Sequence, residues 1–195
     1  MNRIEKQLSL IMELDQLKSV LRRARVKSAD DRLENSAEHS WHVALMAILM
    51  QEHANKPVDI ARVVKMLLLH DIVEIDAGDT FAYDTQAIES QKDKELAAAK
   101  RLFNMLPVDQ SEELLSLWCE FEDAKSADAK FAKALDRLIP MLLNYHNGGK
   151  GWLEHQVTSS QALTVNRKIE SGSHVLWEQA KKIIHDATEK GWLKA

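Results

Sequence analysis

The chain has 195 residues, six Gly, three Pro, a single Cys and a formal net charge of -4. That length allows one substantial core and is short for two, so one domain over residues 1–195 is expected. The negative charge argues against a nucleic acid polymer bound along a basic face, the lone Cys119 excludes an intramolecular disulfide and a Cys-based metal site, and no run of about 18 apolar residues predicts a membrane span. Sparse Gly and Pro, with apolar residues recurring three and four apart, predict an all-α chain. The first ten residues lack the apolar core of a signal peptide, which makes a soluble cytoplasmic protein the expectation.

Residues 3 to 21 carry Ile4, Leu8, Ile11, Met12, Leu14 and Leu17 at helical spacing, an amphipathic helix expected to pack. A basic cluster follows at Arg22, Arg23, Arg25 and Lys27, then a polar connection. Because the planar guanidinium suits phosphate, Arg22, Arg23 and Arg32 are candidates for substrate binding. Asn35 with Glu38 forms a capping box that starts a helix at about Ser36. This places His39 in the first turn, near solvent, and Ala44, Leu45, Ala47, Ile48 and Leu49 in the core. His42 reads as a core His or a neighbour of the site, and His53 as surface.

Pro57 and Asp59 open the next helix. Val63, Val64 and Met66 to Leu69 leave almost no polar face, so it is expected to be buried nearly all round. His70 and Asp71 emerge from that apolar run, and side chains on adjacent helical residues can converge on one object at the helix rim, such as a metal ion. Glu74 follows on the same side one turn later. Gly78 and Asp79 break the helix and add a further carboxylate.

Asp79 to Asp84 reads as a loop. Gln86 to Leu106 reads as a helix with Glu89, Lys92, Glu95 and Lys100 in solvent and Leu96, Ala97, Leu102 and Phe103 buried. After Pro107, Asp109 with Glu112 repeats the capping pattern, Leu114, Leu115, Trp118 and Phe121 form a stripe, and Cys119 is a small buried hydrophobe. Ser126 or Asp128 begins the next helix. Asp136 lies there between Leu135 and Leu138, where an unpaired carboxylate is expensive. Pro140 removes the amide that would bond the Asp136 carbonyl, so the helix is expected to kink or loosen at Asp136. Asn144 to Gly151 is a glycine-rich turn whose GGKG lacks the context of a phosphate-binding loop, and His146 faces either the pocket or solvent. Thr158 or Ser159 caps a helix to Glu170, and Ser173 caps a last one to about Lys190, stopped by Gly191.

Two imidazoles and two carboxylates, His39, His70, Asp71 and Asp136, suit Mn, Co, Fe, Zn or Mg completed by water. Such an ion polarises a phosphoryl oxygen and lowers the pKa of its water. Glu74 and Asp79 are then left to orient that water or to protonate the leaving alkoxide.

His39, the doublet His70-Asp71 and the distant Asp136 resemble the H...HD...D signature of the HD-domain metal-dependent phosphohydrolases. Arg32 to Ser40 resembles the R-x-E-N-x-x-E-H-S run of the 5'-deoxynucleotidase branch, and His70 to Glu74 with Gly78-Asp79 resembles its H-D-x-x-E...G-D segment. The resemblance implies an all-helical HD-domain bundle, a divalent metal on His39, His70, Asp71 and Asp136, and catalytic roles for Glu74 and Asp79. It also implies a nucleoside 5'-monophosphate substrate, attacked by a metal-associated water, and a homodimer. The branch selects the sugar with an Arg-Trp pair before the signature; here Arg22 or Arg23 holds the Arg place and Arg25 stands near that of the Trp. Two other readings remain: a phosphodiesterase for cyclic or polyphosphorylated nucleotides, which added ligands such as His146 and His155 would favour, and a non-catalytic nucleotide or metal sensor.

Overall fold

The computed structural model describes residues 1–80, 83 and 85–195, with side chains described for all of these except residues 85–90. The positions expected for Asp84 and for the Glu89 side chain fall outside the described residues. Helix α1 (Arg3–Glu13) begins behind an Asn2/Glu5 capping box and tightens into a 3-10 helix over Leu14–Ser19. Its Ile4, Leu8, Ile11 and Met12 are exposed, contrary to the packing expected of them. The opposite face docks instead, through Leu10, through Gln7 donating to Gln110 at 2.7 Å and through the Arg3–Asp109 ion pair.

The basic cluster is not a simple polar connection. Strand β1 (Leu21–Val26) pairs antiparallel with β2 (Arg32–Asn35), with Arg25 opposite Leu33, Val26 opposite Arg32, and an irregularity between Leu21 and Arg25. The turn between them passes through Asp30 and Asp31 at positive φ, and Asp31 is pinned from outside the hairpin by Asn147 at 3.0 Å and by Lys150. The irregular register and these long-range ties explain why no period-2 signal marks the hairpin.

Helix α2 (Ser36–Met50) starts at the expected Asn35/Glu38 capping box. His39 points inward, so the residues four, seven and eight positions on, Val43, Met46 and Ala47, share its buried face. Leu45, Ile48 and Leu49 therefore lie on the outside and not in the core. Asp59 caps α3 (Ile60–Leu69) by accepting from the amides of Ala61 and Arg62. This helix is buried on one side only, through Val63, Met66 and Leu67, while Lys65 and Leu68 are exposed.

Between α3 and the short α4 (Glu74–Ala77) the chain tightens, with Ile72 bonding to Leu69, Glu74 to Asp71 and Ile75 to Ile72 in three-residue steps. His70 to Glu74 is thus a compressed turn and not a helix continuing one more turn. Gly78, at φ 75°, ends α4 in a conformation that residues with a Cβ rarely adopt.

In α5 (Thr85–Phe103) the buried stripe is Ala98, Ala99, Leu102 and Phe103, with Leu96 and Ala97 outside. Helix α6 (Val108–Asp123) has Pro107 at its N-cap, and Asp109 pairs with Arg3 without capping. Helix α7 (Ala127–His146), capped by Ser126, is one continuous helix with Pro140 inside it. Then come α8 (Lys150–Glu154), α9 (Ser159–Asn166) behind a Thr158/Gln161 capping box, α10 (Ile169–Gly172), and α11 (His174–Glu189) capped by Ser173. The helix expected to reach Glu170 is therefore two. At Gly172 a Cβ would stand 2.3 Å from the Lys130 carbonyl oxygen, so only glycine permits this approach of α10 to α7.

Two apolar clusters hold these elements. Val43, Leu67, Phe131, Leu135, Trp152 and Ile169 belong to the larger, and Leu10, Leu17, Ile72, Val73, Phe103 and Trp118 to the smaller. Leu69 packs on both, so the His70 turn that follows it sits where the two cores meet. Helix α7 lies against α2, α3, α6, α10 and α11. Among the described residues, no helix is long and apolar enough to cross a membrane.

Candidate metal centre

Three elements deliver the donor atoms. Helix α2 contributes His39, the turn after α3 contributes His70 and Asp71, and α7 contributes Asp136. His39 is fully buried, not near solvent as expected from its place at a helix start. Its Nε2 lies 3.1 Å from Asp136 Oδ1 and 3.8 Å from Asp71 Oδ2. His70 Nε2 lies 3.0 Å from Asp71 Oδ1 and 3.4 Å from Asp136 Oδ1. Ligand atoms of His39, His70 and Asp136 all fall within 4.8 Å of one another. Two donors that share one ion at about 2.1 Å each lie roughly 3 Å apart, so these spacings suit a single cation.

The orientation of His70 gives a stronger test. Its Nδ1 donates to the Leu67 carbonyl at 2.7 Å, which turns Nε2, buried and without a hydrogen-bond partner, toward two carboxylates. A lone pair facing two negative charges is unfavourable unless a proton or a metal stands between them. Burial alone would lower the pKa of His70, yet the Asp71 and Asp136 charges outweigh it and push it up to about 10. For the same reason Asp71 and Asp136 are held below the usual carboxylate range despite their burial, Asp71 by His70 and Arg22, and Asp136 by its contacts with His39 and His70. The donor set fits a divalent ion, which would supply at Nε2 the positive charge that this pocket demands.

Packing fixes the imidazoles. Trp118 Nε1 donates to the His70 carbonyl at 3.1 Å, the Phe121 ring lies 5.0 Å from the His70 ring, and the two imidazoles are 5.5 Å apart. Glu34, buried on β2, faces His39 Nδ1 at 3.5 Å, the position of a carboxylate that orients a ligating His.

Arg22 reaches the same centre from β1. Its Nη1 donates to Asp71 Oδ2 at 2.5 Å and lies 3.7 Å from Glu74 Oε1 and 3.8 Å from Asp79 Oδ1, while its Nε lies 3.6 Å from Glu34 Oε2. Four carboxylates thus surround one guanidinium, and Asp71, Glu74, Asp79 and Asp136 hold it fully charged against the cost of burial. Glu74 accepts from the buried Ser36 Oγ at 2.5 Å. Burial, and then the Asp71 charge, push Glu74 up to about 9, and burial also raises Asp79. Gln91 on α5 fixes the turn before Asp79 by donating to the carbonyls of Ala77 at 3.0 Å and Gly78 at 2.8 Å.

A cavity of about 580 Å³ opens beside these groups, lined by Arg22, Arg23, His70, Asp71, Glu74, Asp79 and Asp136. Its size suits a small-molecule ligand. Arg32 does not line it: the side chain is half exposed and forms a two-pronged pair with Glu38 at 2.6 and 2.8 Å, because strand alternation and the β2 register turn it outward. His146 is exposed outside the cavity and His155 lines its wall, but the His/Cys/Asp/Glu group found among the described residues is His39, His70 and Asp136. Glu34, Ser36 and Gln91 escaped the sequence reading. The first two stand inside the run around His39, where their types alone look like turn and cap residues.

A family model described as HD domain matches residues 14–177. Bovine 5'-deoxynucleotidase HDDC2 is 36% identical over 131 residues, and the human protein of the same name is 34% identical over 131 residues. Each match covers 67% of this chain, and the chain spans 62% of the length of either relative. Among solved structures, a predicted metal-dependent phosphohydrolase from Magnetospirillum magnetotacticum MS-1 superposes with a TM-score of 0.93 at 44% identity, covering 99% of this chain and 96% of that one. An HD-domain phosphohydrolase from Listeria innocua shares the fold, with a TM-score of 0.62 at 18% identity over 96% of this chain and 83% of that one.

Proposed function

Because the chain belongs to the HD-domain family, we propose that it is a metal-dependent phosphomonoester hydrolase that releases phosphate from (deoxy)nucleoside 5'-monophosphates. One observation carries the reading: donor atoms of His39, His70 and Asp136 converge within 4.8 Å beside a cavity that also holds Glu74 and Asp79. A purely structural site has no use for two further acids at its edge. The names of the relatives and the motif resemblance supply the substrate class.

A divalent ion, one of Mn, Co, Fe, Zn or Mg, held by His39, His70, Asp71 and Asp136, would polarise a phosphoryl oxygen and lower the pKa of water, providing a nucleophile near neutral pH. The chain's own groups do the rest. Ser36 donates to Glu74 Oε2, which leaves Oε1, 3.7 Å from Arg22 Nη1, as the oxygen able to exchange a proton. In the metal-free chain burial raises both Glu74 and Asp79, which suits these two acids to share the protonation of the leaving 5'-oxygen and the orientation of water. Arg22 holds Asp71 and Asp79 together so that their mutual repulsion does not open the site.

Residues 1–195 act as one domain, a reading supported by a cavity whose lining runs from Arg22 to Ser171. The protein works as a cytoplasmic homodimer. Support for the dimer comes from the exposed Ile4, Leu8 and Ile11 on α1 and Trp41, Leu45 and Ile48 on α2, apolar faces that a second subunit would cover. A phosphate-release panel of ribo- and deoxynucleoside monophosphates, run with chelator and then with Mn, Co, Mg or Zn restored, tests the activity. Release confined to metal-restored samples is expected, and no release with any metal would make the protein a nucleotide or metal sensor. Sedimentation tests the dimer, with Ile48→Glu expected to yield monomers.

A further inference from the structure

Of the three arginines assigned to the substrate from sequence, only Arg23 both lines the cavity and lies outside the ion pairs found among the described residues, and its side chain is exposed. Arg22 is engaged by Glu34, Asp71, Glu74 and Asp79, and Arg32 by Glu38. A phosphate dianion held at the metal would gain from further positive charge on the protected part of the cavity wall.

Helix α7 provides it one residue after the ligand Asp136. Arg137 lines the cavity, and its Nε is buried with no hydrogen-bond partner. An unsatisfied buried donor on a charged group is costly, and such groups are normally paired. Lys168, the residue before α10, lines the same cavity with its side chain largely exposed and only its stem covered. Among the described residues, neither side chain has an ion pair or a hydrogen bond, whereas the neighbouring Lys133 is paired with Glu122 at 2.8 Å. Arg137 and Lys168 also press on each other: Lys168 is held below the ordinary lysine range first by burial and then by the charges of Arg137 and Lys133. Two like charges kept together on a cavity wall, with a donor left unsatisfied, form an arrangement that a dianion relieves.

We infer that Arg137 and Lys168 form the cradle for the substrate's phosphate, with the Arg137 fork and the Lys168 ammonium binding its oxygens beside the metal. This rests on the hydrolase reading for its substrate, but phosphate binding can be measured without turnover. Asp136 and Arg137 then work as one unit: a single turn of α7 presents a metal ligand and a phosphate donor to the same group. The glycine-dependent approach of α10 to α7 at Gly172 keeps Lys168 on the cavity wall.

The test uses the Mn-loaded wild type with Arg137→Ala, Arg137→Lys and Lys168→Ala. Nucleoside release is followed by chromatography, and inorganic phosphate and Mn are each titrated by calorimetry. Losing a charge-assisted hydrogen bond should raise both KM and the phosphate dissociation constant by about tenfold or more in the two Ala variants. Lysine at 137 should restore part of the loss. Mn affinity should stay within about twofold, while kcat should fall as well, because a charge clamp on the transferring phosphoryl group also stabilises its transition state. Unchanged phosphate affinity and KM in both Ala variants would overturn the cradle, as would loss of Mn affinity in step with KM. Wild type that binds phosphate but releases no nucleoside would count against the hydrolase reading and leave the cradle standing. Wild type that binds no phosphate would remove the cradle.

Discussion

Ser36 Oγ donates to Glu74 Oε2 at 2.5 Å, joining the first residue of α2 to the first residue of α4 inside the protein. The bond fixes which oxygen of Glu74 faces the cavity. Ser36→Ala should therefore lower kcat about tenfold while Mn affinity is kept, because it frees the carboxyl without removing it. Glu74→Gln should cost more, about 10²-fold or beyond, as expected for loss of a group that handles protons. Steady-state kinetics beside Mn titration separates the two effects.

Glu34 faces His39 Nδ1 at 3.5 Å and Arg22 Nε at 3.6 Å. Outer partners of this kind set the orientation of a ligating imidazole. Glu34→Gln is expected to weaken Mn binding by about 10- to 100-fold. Calorimetry reads this directly, and an unchanged affinity would show that Glu34 serves only to neutralise Arg22.

The metal-free protein should lose stability as pH rises. His70 is pushed from 6.5 up to about 10 in the folded chain, and Glu74 from 4.5 up to about 9. Both folded-state values lie above the unfolded ones, so the unfolded chain releases these protons first. The His70 contribution is complete below pH 6.5 and disappears as pH climbs toward 10; that of Glu74 falls away from 4.5 toward 9. Thermal melts of chelator-treated protein at pH 6.5 and 9 should show a lower Tm at the higher pH. A metal replaces the His70 proton, so metal-loaded protein should show a weaker pH dependence and a metal affinity that increases with pH.

Arg32 and Gly172 give opposite expectations for two positions outside the metal cluster. Arg32 is half exposed and paired with Glu38 away from the cavity, so Arg32→Ala should leave KM within about twofold of wild type. Gly172→Ala places a Cβ 2.3 Å from the Lys130 carbonyl and should destabilise the fold by about 1–3 kcal/mol. Urea melts measure the second and kinetics the first.

Sequence alone determined the helical architecture, the caps at Asn35, Asp59 and Ser173, Ser126 and Thr158 each as one of two candidate caps, and the residue types able to hold a divalent ion. These are local matters: capping, apolar spacing and side-chain chemistry act within a few residues of chain. Tertiary structure decided everything that depends on which way a face turns. It buried His39 and turned Leu45 and Ile48 outward, set Arg22 among four carboxylates, and left Arg137 Nε without a hydrogen-bond partner among the described residues. An arginine carries the same charge in every context, and only the acids that folding places around it decide whether that charge is already satisfied or still available to a substrate.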